Sequence, residues 1–151
     1  MYYGVVALVS LFQYGNVYCT TPKLKLLAQN YELQQRCLNY VANSQRTLPN
    51  LRDVFRIYSA MTWGTTVKDL CLRFNPSNLK INERKLVQFG VLEGIIRRVQ
   101  KYPVYLGEHL DLQKSLSGAS SLDEICCSTN INTQRLEDQL ERDNNVILLW
   151  K

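Results

Sequence analysis

Six basic side chains, Lys80, Arg84, Lys85, Arg97, Arg98 and Lys101, lie within twenty-two consecutive positions of this 151-residue chain. Cations at that density hold anions, either the phosphates of a nucleic acid or an acidic protein surface. Other chemistry is scarce. Glu137 and Glu141 stand one helical turn apart, a spacing that usually marks a solvated face. Five cysteines, at 19, 37, 71, 126 and 127, make no C-x-x-C pair, and His109 is the sole histidine. Cys37 and Cys71 fall on apolar helix faces, where a thiol packs as a small hydrophobe, whereas the neighbours Cys126 and Cys127 could sense oxidation. No Walker loop, G-x-S-x-G elbow or H-E-x-x-H is present. The expectation is a non-enzymatic protein without catalytic residues, metal or cofactor.

The elements that position the cations follow from apolar spacing. Asn50 caps a helix with Asp53 in its first turn and Leu51, Val54, Phe55 and Tyr58 on one face. Across Trp63 and Gly64, Thr66 caps a second helix, with Asp69 at N3 and Val67, Leu70, Cys71 and Phe74 inward; Asn75 and Pro76 end it. Asn82 opens a third through Leu86 and Phe89, which Gly90 or Gly94 can end. The β-branched residues Ile95, Ile96 and Val99 and the segment Tyr102 to Leu106 then read as a ribbon. Three helices and a ribbon are the winged-helix order.

Ser121 and Glu124 form a capping box before Ile125 and Cys126, a turn at Ser128 to Asn132 follows, and Leu136 and Leu140 mark another helix. Asp143 to Asn145 turn into the strand VILLWK. Upstream, Tyr2 to Phe12 reads as a strand and Val17 to Cys19 as its return, about the turn Tyr14 to Asn16. The first run is shorter than the roughly 20 residues that span a bilayer, and no basic region marks it as a signal peptide. As a ribbon without a neighbour it predicts aggregation or pairing. Thr21 and Pro22 start a helix carrying Leu24, Leu27, Ala28 and Tyr31, with a break near Asn30 before Leu33, Cys37, Leu38 and Val41. Polar linkers are expected at Asn43 to Asn50 and Gly107 to Ser121.

The fold class is therefore α+β, mainly α: a β hairpin with helical connector over 1–48, a winged-helix module over 49–107, and a smaller helix-turn-helix-like unit over 108–151. Composition suits a folded chain, with 46% apolar residues and no low-complexity or convincing repeat. Charge is uneven. Residues 1–107 hold 14 basic and 5 acidic side chains, net +9, and residues 108–151 hold 4 and 8, net −4.

Several long strings carry a resemblance. YYGVVALVSLFQYGNVYCTTP (Tyr2 to Pro22), LRDVFRIYSAMTWGTTVKDLCLRF (Leu51 to Phe74), NERKLVQFGVLEGIIRRVQKYPV (Asn82 to Val104) and the terminal SLDEICCSTN and NNVILLWK resemble the C-terminal part of the nitrogen permease regulator 2-like proteins. The resemblance implies a subunit that pairs with a nitrogen permease regulator 3-like subunit and a DEP-domain subunit. Together they form the GATOR complex, which promotes GTP hydrolysis on Rag GTPases and restrains TOR signalling on amino-acid starvation. It also implies a cytoplasmic protein recruited to the lysosomal or vacuolar membrane. The family's N-terminal longin-like domain, to which its activating arginine belongs, has no counterpart here, which implies a fragment, a truncated gene model or a short isoform.

On that resemblance the segment is a non-catalytic scaffold, and Arg84, Lys85, Arg97, Arg98, Lys101, Tyr102, Tyr105 and Trp150 are candidates for protein contact, with Trp63 as a further interface or core aromatic. The alternative is a winged-helix nucleic-acid binder. Against it, the third helix offers Glu83 and Glu93 and few base-reading side chains.

Overall fold

The computed structural model describes residues 12–107 and 116–151. The expected strand at Tyr2 to Phe12 falls almost wholly outside them, as does His109. The chain forms two compact units, one ending at Arg98 and one beginning at Val99. The class is α+β with mainly helical content.

In the first unit, β1 (Val17–Thr20) precedes α1 (Leu24–Gln29), α2 (Tyr31–Val41), α3 (Leu51–Ser59), α4 (Val67–Phe74), α5 (Glu83–Leu92) and all but the last residue of β2 (Ile96–Val99). The caps expected at Asn50, Thr66 and Asn82 are made, Asn30 adds one at the expected break, and Thr21 does not cap α1, whose N-cap position is Lys23. The Asn30, Asn50 and Asn82 side chains accept the N–H groups of Leu33, Arg52 and Lys85 at 2.9–3.2 Å, and Thr66 with Asp69 completes a capping box. These bonds to Thr66 hold the Asp69 carboxyl below its ordinary value. Asn75, left-handed at φ 44°, ends α4 before Pro76. Gly94, at φ 70°, follows the last turn of α5. The regular turns of α1 start at Leu24, later than the Thr21 and Pro22 signal suggests, because the residues before it close tighter i+3 turns, the Leu24 N–H donating to the Thr21 carbonyl at 3.1 Å and that of Lys25 to the Pro22 carbonyl at 3.2 Å.

The apolar faces meet in one core of Tyr18, Leu27, Cys37, Val41, Val54, Ile57, Tyr58, Met61, Val67, Leu70, Ile81, Leu86, Val87, Phe89, Ile95 and Ile96. Each Val, Leu, Ile, Met or Phe side chain among them contributes roughly 1.5–3 kcal/mol on burial. Backbone bonds tie the helices at their ends: the Asn82 N–H donates to the Val41 carbonyl at 2.8 Å and the Asn43 N–H to that of Lys80 at 3.0 Å.

The second unit contains β3 (Lys101–Tyr105), α6 (Leu122–Thr129), α7 (Thr133–Glu141) and β4 (Val146–Trp150). β3 and β4 pair antiparallel, with Lys101 opposite Trp150 and Tyr105 opposite Val146. On the other edge of β3, Tyr105 donates to the Leu116 carbonyl at 2.9 Å and Gly118 to that of Pro103 at 3.0 Å. Gly118 is buried at φ 77°, and a Cβ there would lie 2.7 Å from Val104 Cγ2, so only glycine fits. Leu122, Ile125, Leu136 and Leu140 form a separate core under Val146 and Leu148. The Ser121 and Glu124 capping box is present as expected.

The ribbon expected between Ile95 and Leu106 does not form. Both segments are strands, but β2 joins β1 and β3 joins β4 in separate two-stranded sheets. Only Gln100 lies between β2 and β3, and one residue is too short to reverse a strand on itself, since the tightest common hairpin needs a two-residue loop.

Candidate interaction site

The eight contact candidates distribute over both units. On α5, Arg84 and Lys85 are exposed but face different neighbours. The Arg84 guanidinium lies 5.3 Å from the Phe12 ring centre, and the Lys85 ammonium donates to the Ala42 carbonyl at 3.3 Å. Lys80, at φ 63°, sits in the turn ahead of α5. Arg97 and Arg98 are neighbours on β2, and strand alternation turns them to opposite faces. Arg97 is exposed and its guanidinium lies 5.8 Å from the Trp63 ring centre.

In the second unit, Lys101 and Trp150 are register partners, with the ammonium 5.0 Å from the indole centre. Lys101 also pairs with Glu137 at 2.8 Å, joining α7 to β3. Glu137 is thus an ion-pair partner, whereas Glu141 is exposed. Alternation along β3 turns Tyr105 to the same side as Lys101 and Tyr102 to the other, where the Lys151 ammonium lies 4.8 Å from its ring. The basic side chains therefore form several small cation and aromatic pairs. Trp63 and Trp150 are exposed by 52% and 42%, while Tyr102 and Tyr105 are half-buried.

Pairs such as Arg97 with Trp63 and Arg84 with Phe12 were illegible in the sequence because their members are 34 and 72 residues apart. So was the bond from the buried Tyr58 hydroxyl to the Leu86 carbonyl at 2.7 Å. Beside it, burial pushes the Cys37 thiol up to about 12, although the Tyr58 hydroxyl acts in the opposite direction. Thiolates rather than thiols react. At neutral pH iodoacetamide is expected to modify the exposed Cys127 first and Cys37 only after unfolding. Mass spectrometry over a labelling time course checks this, and equal native rates at the two positions would contradict the buried geometry.

Among the described residues no group of three His, Cys, Asp or Glu side chains could hold a metal ion, and no helix is long and apolar enough to cross a membrane. The described surface carries exposed rings, guanidinium groups and ammonium groups.

Known proteins agree with this wording of the chain. The pattern that defines the Nitrogen permease regulator 2 family matches residues 42–144. The GATOR complex protein NPRL2 of Drosophila melanogaster is 40% identical over 153 aligned positions, which cover 100% of this chain and 37% of the fly protein. The nitrogen permease regulator 2 homolog of Schizosaccharomyces pombe is 30% identical over 138 positions, covering 83% of this chain and 34% of the yeast protein. The matched stretch is thus about a third of each relative's length. By a match over more than half its residues, and by identity to the fly protein along its whole length, this chain belongs to the nitrogen permease regulator 2 family.

Proposed function

We propose that this chain acts as the non-catalytic C-terminal scaffold of a nitrogen permease regulator 2-like subunit. The observation that carries the reading is the 40% identity to a GATOR complex protein across the whole chain. In this reading the chain assembles with a nitrogen permease regulator 3-like subunit and a DEP-domain subunit. The assembly promotes GTP hydrolysis by Rag GTPases and restrains TOR signalling on amino-acid starvation, from the cytoplasm and at the lysosomal or vacuolar membrane. The helical cores give rigid support, and the exposed aromatic and basic side chains give contact chemistry. The winged-helix helix order of residues 49–107 would serve protein contact here.

An activating arginine must be placed against the transferring phosphoryl group to stabilise its charge. Arg56, Arg84 and Arg97 lie over rings and Arg36 beside a carboxylate, contacts that suit assembly. Two measurements test the reading. Co-expression with the nitrogen permease regulator 3-like subunit, followed by size exclusion and mass determination, is expected to give a stable one-to-one complex. Single-turnover GTP hydrolysis by Rag GTPases is expected to be unchanged by this chain alone. No association, or appreciable stimulation by the isolated chain, would overturn the proposal. Duplex DNA binding that weakens steeply with salt would favour nucleic acid instead.

A further inference from the structure

We propose that Trp63 and Arg97 together form an anchor for a carboxylate-bearing segment of a partner protein. The inference rests on the scaffold reading and gives that contact a place. Trp63 projects from the turn between α3 and α4, and the turn is braced on every side. The Thr65 N–H donates to the Thr62 carbonyl at 3.2 Å, Gly64 takes φ 80°, and the Thr66 capping box fixes the exit. On the entry side the Met61 carbonyl accepts the Thr20 N–H at 3.3 Å. A large indole, 52% exposed, is thus held on a rigid support. Arg97 on β2 places its guanidinium 5.8 Å from the ring centre. That distance lies within cation–π range, and a guanidinium so placed still offers its N–H groups to a carboxylate, which arginine can meet in bidentate geometry.

Charge complementarity specifies the occupant. Residues 12–98 hold 13 basic and 5 acidic side chains, and the acidic ones have other roles. Glu93 pairs with Arg36, Asp53 faces Arg56, Asp69 closes the Thr66 cap and Glu83 accepts from the Tyr14 hydroxyl. Glu32 lies in the first turn of α2, at the positive end of the helix dipole. Arg97 has no ion-pair partner among the described residues. No carboxylate among the described residues occupies it, so the exposed guanidinium is available to an anion of another molecule. A carboxylate next to an apolar side chain satisfies both halves of the pair: the acid meets the guanidinium and the apolar group covers the indole. Trp and Arg are also the residue types on which binding energy concentrates at protein interfaces. A single-stranded nucleic acid would instead want a succession of rings along a basic groove. Here one ring stands with one arginine.

The test uses the complex of this chain with the nitrogen permease regulator 3-like subunit. Titrations compare the wild type with Trp63→Ala, Arg97→Glu and Arg97→Lys, after thermal melting has confirmed that each variant folds. Trp63→Ala and Arg97→Glu are each expected to weaken the complex by about 30-fold or more, with Arg97→Lys between them and the wild type. Incorporation of 5-fluorotryptophan gives a second readout from two indoles, assigned with Trp63→Phe, and the Trp63 fluorine resonance is expected to shift on adding unlabelled partner. Absence of any complex with the wild type overturns the scaffold reading itself. A wild-type complex that Arg97→Glu and Trp63→Ala leave equally tight, with the Trp63 resonance unmoved, overturns the anchor alone. A salt-sensitive shift of that resonance by a single-stranded oligonucleotide, with none from the partner, replaces protein by nucleic acid as the occupant.

Discussion

Replacing Gly90 by alanine is expected to destabilise the first unit by about 1–3 kcal/mol, the usual cost of forcing an extra group into a packed core. Helix propensity alone predicts the opposite sign, since alanine is favoured over glycine inside a helix by roughly 1 kcal/mol. Geometry decides between them. A Cβ at Gly90 would lie 2.8 Å from Tyr58 Cε1, 2.8 Å from Ile96 Cγ1 and 2.9 Å from Ile96 Cδ1. Both neighbours are fully buried, so neither has solvent into which it can swing. Urea unfolding followed by circular dichroism measures the effect, and a higher midpoint for Gly90→Ala than for the wild type would refute the close packing of α5 on α3.

Tyr58→Ala is expected to cost about 3–5 kcal/mol, comparable with other aromatic truncations in cores. The ring is completely buried between α3 and α5, and its hydroxyl reaches the Leu86 carbonyl one turn before Gly90. It therefore lies along the stretch of helix backbone that Gly90 leaves bare. Tyr58→Phe keeps the ring and loses only the hydrogen bond, so its expected cost is about 0.5–1.5 kcal/mol. Residues in direct contact do not act independently. The penalty of Gly90→Ala is expected to shrink when Tyr58 is already alanine, because one of its two obstructing groups has gone. Denaturant midpoints of the two single variants and the double variant test this coupling, and strict additivity would show that Tyr58 and Gly90 do not share a contact.

These residues also show how far local reading reaches. The Asn50, Thr66, Asn82 and Ser121 caps were legible because a cap joins groups only two or three positions apart. The inward faces of α3 and α4 were legible for a similar reason, since helical periodicity places Val54 beside Tyr58 and Val67 beside Leu70 whatever surrounds them. Strand formation at 96–99 and 101–105 was likewise visible in the β-branched and aromatic residues. Its pairing was not, because a strand's partner is chosen by the rest of the chain. The Thr21 N–H reaches the Ile95 carbonyl at 2.9 Å across 74 positions, and the Gln100 and Lys151 backbones exchange hydrogen bonds across 51. The candidate contacts divide in the same way. Basic and aromatic residue types could be picked out directly, but whether Lys101 meets Glu137, or Arg97 meets Trp63, depends on distant segments converging.

Residue types and short spacings thus specify the caps, the apolar faces, the mainly helical class and the family wording of this protein, because the forces involved act within a turn or two of chain. Strand partners, the requirement for glycine at position 90 and the pairing of Trp63 with Arg97 arise after the elements pack. Long-range hydrogen bonds and steric contact then couple residues that have no local relation, and in the case of Gly90 that coupling reverses the preference of the isolated helix.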